Sequence, residues 1–171
     1  MPVIRINHQA GSFTDEQKAS LARKVGTSIL GLEMGDENVT VEGLDIVFVQ
    51  FSETPHENWL VGGVSCKDAG EAIKDFYIVG ILLAPGFFDV ERRIDAHRLV
   101  GRDFAEVLPQ GHPALAGRIV TILSEAQPNG WGASGKVLTA TDIATTAGVG
   151  SDTARYKELA ENVQRQKLQT A

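Results

Sequence analysis

The chain has 171 residues, 43% of them hydrophobic, enough for one ordinary domain or for two small halves sharing a core. A formal charge of −6 and a pI near 5.2 argue against nucleic acid or an anionic membrane surface as a partner. No apolar run approaches the roughly 20 residues of a membrane span, and no basic-then-apolar signal pattern opens the chain. The single cysteine, Cys66, excludes an intramolecular disulfide and fits a reducing cytoplasm, which is the expected location.

The first residues, Met1-Pro2-Val3-Ile4-Arg5-Ile6-Asn7-His8, read as a strand over 3–8 with proline just before it. Proline has no amide N–H to give a ladder, which costs nothing at a strand's first position. Two readings are open. The dipeptide is an accident of the start at a solvated terminus. Alternatively, loss of Met1 frees the Pro2 nitrogen as a secondary amine. A model α-amino group titrates at roughly 7.7–8.0. A dry pocket or neighbouring cations would lower that and leave a base poised near neutral pH.

Gly11-Ser12-Phe13-Thr14 is a turn, and Thr14 is a candidate N-cap followed by Asp15, Glu16 and Gln17. Leu21, Ala22, Val25, Ile29 and Leu32 recur at helical spacing, with Gly31 and Gly35 marking the exit. Residues 44–51, rich in β-branched and aromatic side chains, are the strongest strand in the sequence. Strand, helix and strand make a right-handed βαβ unit with parallel strands.

The plan then repeats: a strand over 76–83, a Pro85-Gly86 turn, a helix from Asp89 to Leu108 and a strand from Arg118 to Ser124. Ser52-Glu53 answers to Ser124-Glu125, Trp59 to Trp131 and Gly63 to Gly135 at an offset of 72; Gly11 answers to Gly86 at 75. The expected fold class is α+β. Two fused βαβ units, about 2–63 and 76–138, form a four-stranded mixed sheet with two helices on one face. A helical tail over 140–171 follows the 1–139 domain. One sheet face stays uncovered, which predicts oligomerisation, most simply cyclic. In the tail, Tyr156, Leu159, Ala160 and Val163 share a stripe, while Arg155, Lys157 and Glu158 fall on the other faces.

Pro2 at a strand start, the Gly11…Asp15-Glu16-Gln17-Lys18 turn into a helix and the Ser52-Glu53…Asn58-Trp59-Leu60-Val61-Gly62-Gly63 segment resemble the tautomerase superfamily. That superfamily includes 4-oxalocrotonate tautomerase, macrophage migration inhibitory factor and malonate semialdehyde decarboxylase. The doubled plan and the tail are most similar to fused members of the cis-3-chloroacrylic acid dehalogenase type. The resemblance covers about 2–138. It implies a homotrimer, no cofactor and Pro2 as the catalytic amine once Met1 is lost. Tyr77 stands where a second proline would sit, so one proline site per subunit follows.

The departures concern the polar site. The positions that carry substrate-binding arginines in the family fall here on Ser12 or Phe13, near Phe48, and on Ala84 and Phe87. A first-helix histidine falls on Ile29 and a water-activating glutamate on Ala133. The expected pocket lining is therefore apolar: Ile29, Trp59, Leu83, Phe87, Phe88 and Trp131. It would lower an amine pKa by desolvation and favour an apolar substrate. Dehalogenation and decarboxylation lack their water-activating acid and carboxylate clamp. What remains is keto–enol tautomerisation of a 2-keto or enol acid bearing an apolar group. The alternative is a silent trimer with a binding or structural role.

No His/Cys/Asp/Glu grouping has metal-ligand spacing, so no metal is expected. Of the other polar residues, only one of Asn7 and His8 can share the face of Pro2. His56 lies in a solvated loop, His97 and His112 read as surface residues, and Arg92, Arg93, Arg98 and Arg102 read as the wet side of a helix. Arg5 and Arg118 lie on strands from which they could reach a neighbouring subunit.

Overall fold

The computed structural model describes residues 1–35, 39–40, 42–70 and 75–169. Four strands, β1 (Val3–Gln9), β2 (Phe48–Thr54), β5 (Tyr77–Leu83) and β6 (Ile119–Glu125), form one sheet in the order β2-β1-β5-β6. Each repeat supplies a parallel pair, β1 with β2 and β5 with β6. The repeats join through an antiparallel β1/β5 seam in which Val3 faces Leu82 and Asn7 faces Ile78. Short hairpins β3 (Leu60–Val61)/β4 (Val64–Ser65) and β7 (Gly132–Ala133)/β8 (Lys136–Val137) follow β2 and β6.

Two long helices, α1 (Asp15–Met34) and α3 (Val90–Val107), pack on the sheet and on each other. α1 starts where its capping residues put it. The Thr14 side chain accepts from the Gln17 amide, and the Gln17 side chain accepts from the Thr14 amide, a reciprocal capping box. Asp89 caps α3 by accepting from the Arg92 amide. Gly31 lies inside α1 rather than at its exit. The helix ends at Gly35, whose φ of 86° is costly for a side chain. A one-turn helix, α2 (Cys66–Ala69), follows the first hairpin, and α4 (Ala140–Thr146) and α5 (Ala154–Gln169) build the tail.

The expected second strand starts late. Residues 42–46 form a 3₁₀ turn, with the Gly43 amide donating to Thr40 Oγ1, and β2 begins only at Phe48. Local side-chain bonding here overrides a β-favouring composition. The duplication holds in hydrogen bonds. The Cys66 amide donates to the Trp59 carbonyl and the Leu138 amide to the Trp131 carbonyl, both at 2.9 Å and 72 residues apart. Gly63 (φ 83°) and Gly135 (φ 77°) take equivalent left-handed positions in the two hairpins.

Burial splits the sheet into two faces. Ile4, Ile6, Val79, Ile81 and Leu83 lie under the helices with Leu21, Val25, Ile29, Val100 and Phe104, all at 0–1% exposure. The other face carries Phe48, Ile78, Leu82, Val120 and Ile122 at 38–55% exposure. A depression of about 300 Å³ crosses it, bordered by Val3, Arg5, Asn7 and Ile122. Among the described residues no helix is long and apolar enough to cross a membrane.

Candidate active site

Pro2 sits at the mouth of β1, buried, and its carbonyl accepts from the Phe48 amide at 3.1 Å. With Met1 in place the proline nitrogen is a tertiary amide without basicity. The Met1 ammonium turns inward and donates to Glu33 Oε2 at 2.7 Å. Glu33 is 0% exposed, and its other carboxylate oxygen is buried with no hydrogen-bond partner among the described residues. Three bonds separate the Met1 and Pro2 nitrogens, so the carboxylate lies within roughly 7 Å of the proline nitrogen.

Burial pushes the Glu33 carboxyl above the usual carboxylate range; the N-terminal ammonium and the Arg155 guanidinium pull the other way. The expectation of a wholly apolar surrounding for the proline is thus corrected. Glu33 falls four residues after Ile29, on the Leu21–Val25–Ile29 row, where an apolar side chain would continue the stripe. That was the available signal, and following the stripe through Leu32 missed it.

Arg155 is the second missed residue. It does not lie on an outer face of α5 but is 6% exposed, on the same row as Leu159 and Val163. Its Nε donates to the Glu33 carbonyl at 2.7 Å, and its Nη2 to the carbonyls of Leu32 at 3.3 Å and Phe87 at 2.7 Å. The last turn of α1 contains no basic residue, so the tail supplies the cation that its terminal carbonyls favour. Arg155 Nη1 also lies 2.7 Å from Glu158 Oε2, and Glu158 accepts from Arg92. Arg92 and Arg93 are therefore half-buried and paired, with Glu158 and Glu125, rather than forming a wet face. Asn162 Nδ2 donates to the Gly86 carbonyl at 2.9 Å, a further tie between the tail and the β5–α3 loop.

Of the sequence-predicted lining, Ile29, Leu83, Phe87 and Trp131 lie at the Pro2 end. Ile29 is one turn before Glu33, Leu83 ends β5, and Phe87 shares Arg155 with Glu33. The hairpin after Trp131 borders a cavity of about 70 Å³ together with Pro85, Leu138 and Val163. Phe88 is buried in the same core. Ile29, Leu83 and Phe87 are all 0% exposed, so in one chain they touch other side chains rather than an open cleft. The indole Nε1 of Trp131 is buried with no hydrogen-bond partner among the described residues.

Trp59 lies elsewhere. Its carbonyl accepts from Cys66, whose sulfur meets Gln9 at 2.9 Å, so it sits at the far end of β1, roughly 20 Å from Pro2. His8 shares the inward face of Pro2 but belongs to that far end. There it packs edge-on against Phe13 and Phe51. His112 is half-buried beside Asp75 rather than on the surface, and His97 is exposed. Arg118 lies over the Phe76 ring at 5.4 Å, and Arg5 is exposed on the bare sheet face. The positions expected to have lost family arginines are apolar or small: Phe48 is exposed on the bare face, and Ala84 and Phe87 are sealed in the core.

No protein-family model matches the chain, and no curated protein sequence does. Solved structures do. The native fused 4-OT structure is 20% identical, with a TM-score of 0.61 over 79% of this chain and 94% of its own. A fused 4-OT described as an asymmetric trimer is 19% identical, with a TM-score of 0.59 over 79% and 94%. Malonate semialdehyde decarboxylase is 12% identical, with a TM-score of 0.54 over 79% and 93%.

The fold is that of the tautomerase superfamily.

It is present in the fused, two-repeat form, with a four-stranded mixed sheet spanning both repeats. Within this tautomerase fold, the Pro2 end and the Tyr77 end of the sheet are the two places that the duplication makes equivalent.

Proposed function

We propose that the protein is a cofactor-free tautomerase, an isomerase whose base is the Pro2 nitrogen after removal of Met1. The observation that carries this is the placement of the N-terminus. The nitrogen end of β1 is drawn into the structure and held against a buried carboxylate, where a freed proline amine would be shielded from water. Such an amine can take a proton from the carbon beside a carbonyl and return it at another position, with no metal or cofactor. The apolar side chains at this end favour a 2-keto or enol acid bearing an apolar group, and dehalogenation and decarboxylation lack the residues they need.

The chain acts as a homotrimer in this reading. The bare face, with Phe48 55% and Ile122 51% exposed, is the surface that three sheets would bury together, and a fused 4-OT of the same fold is a trimer.

The test is turnover of phenylenolpyruvate and 2-hydroxymuconate by protein whose mass shows Pro2 at the N-terminus, compared with Pro2→Ala. Loss of turnover in the variant supports the reading; equal rates end it. A second reading, a silent trimer of the same fold, is favoured by the Met1–Glu33 ion pair itself, since retained Met1 leaves no basic proline. An intact mass that includes Met1 in protein from its native host would select it.

A further inference from the structure

We propose that Glu33 is the proton partner of the Pro2 amine, so that base and proton reservoir work as a pair. This rests on the Pro2 reading and gives its site a second reacting group. The geometry places one Glu33 oxygen 2.7 Å from the chain's first nitrogen and leaves the other buried without a partner among the described residues. Loss of Met1 moves the terminal nitrogen by three bonds, a distance that a glutamate side chain spans by a change of rotamer.

The duplication supplies an internal control. An offset of 75 relates the caps Thr14 and Asp89, the helix glycines Gly26 and Gly101, and the buried Ile29 and Phe104. The same offset carries Pro2 to Tyr77 and Glu33 to Leu108, which is 5% exposed. Where there is no proline, the position is apolar, as packing alone selects. Where the proline stands, a carboxylate is buried at a cost that packing does not explain.

The charged groups acting on Glu33 are the N-terminal amine, from the start of β1, and Arg155, from α5. Behind Arg155 stand Glu158, Arg92 and Asp89. Burial favours a protonated Glu33 while both cations favour its ionised form, so the carboxyl is able to accept a proton and release it. In the step itself the Pro2 lone pair takes the substrate proton, and the C–H electron pair becomes the C=C bond of the enolate. The new ammonium passes a proton to the Glu33 carboxylate: one N–H bond breaks and one O–H bond forms. Reprotonation of the enolate at its new position runs the same path backwards. No external acid, base or electron acceptor enters.

The test uses full-length protein with Pro2 verified at its N-terminus, ¹⁵N-labelled at proline and ¹³C-labelled at glutamate carboxyls, titrated by NMR. In Glu33→Gln the Pro2 amine should titrate roughly one unit or more lower, and Glu33→Asp should restore most of the difference. In the unmutated protein the Glu33 carboxyl and Pro2 nitrogen signals should each sense both titration steps, as coupled groups do. That measurement decides the matter even if Glu33→Gln fails to fold. The acid limb of kcat/KM should move to lower pH in Glu33→Gln, and its maximum should fall by about 10- to 100-fold. A Pro2 titration unmoved by Glu33→Gln, or a carboxyl signal blind to the Pro2 steps, overturns the pairing. Failure of the Pro2 reading looks different: Pro2→Ala then turns over as fast as the parent.

Discussion

The two ends of the sheet occupy equivalent places in the two repeats and differ in what fills them. At the Tyr77 end the space is filled by packed aromatic side chains. Phe13 and Phe104 pack against Tyr77, and His8 and Phe51 pack edge-on against Phe13. Gln9 Nε2 donates to Cys66 Sγ, and Gln9 Oε1 accepts from the Asp75 amide at 3.1 Å. Burial and the Asp75 carboxylate push the Tyr77 phenol up to about 12, so it stays protonated. At the Pro2 end a carboxyl and a terminal nitrogen are buried together, and the surrounding backbone carbonyls are tied by a guanidinium from outside the duplication. Both ends bury ionisable side chains, His8 and Asp103 at one and Glu33 at the other. Only at the Pro2 end does the buried carboxylate meet the chain's first nitrogen.

Changes that exchange the character of the two ends should break the comparison in order of size. Pro2→Ala should lower turnover at least about 100-fold, while Tyr77→Phe should leave it within a factor of about two, read as kcat/KM on phenylenolpyruvate. Leu108→Glu, which copies Glu33 into the end without a terminal amine, should cost about 3 kcal/mol or more in urea unfolding, because it puts a carboxylate at a position only 5% exposed. Arg155→Ala should cost about 2–4 kcal/mol in the same measurement, since it strips a buried charged donor from the carbonyls of Leu32, Glu33 and Phe87. Arg165→Ala, on the exposed side of the same helix, should change stability by less than about 0.5 kcal/mol.

The smallest effect concerns alkali. The Tyr77 phenol titrates higher folded, at about 12, than in the unfolded chain, near 10. Above the unfolded value the unfolded chain releases its proton first, so stability falls as pH rises from about 10 towards 12. Tyr77→Phe should flatten that slope, read as urea midpoints at pH 9 and pH 11. An unchanged slope would assign the alkaline loss to other groups.

Most of the scaffold is legible in the residues, because its signals are local. The Thr14 and Asp89 caps, the β-branched strands and the hairpin glycines at an offset of 72 each act within a few residues of themselves. The misplaced start of β2 is local too, but there a threonine hydroxyl competed with the strand ladder and won. The site is less legible because its parts meet across the chain. Glu33 and Arg155 each occupy an apolar row, at the fourth place from Ile29 and from Leu159, and each reads as a surface charge until its partner is known. The partner of Arg155 is a set of backbone carbonyls as much as 123 residues away, which leaves no trace in side-chain composition. Trp59 and Trp131 match in sequence, and the pseudo-twofold sends them to opposite ends.

The claim on which the account turns is proton transfer at the N-terminal nitrogen, and the most direct measurement is hydrogen–deuterium exchange beside the carbonyl of phenylpyruvate in D₂O, followed by proton NMR. Protein verified by mass to begin at Pro2 should speed the exchange well above the buffer rate, and the same protein carrying Pro2→Ala should not. Exchange at equal rates in the two proteins would contradict the account.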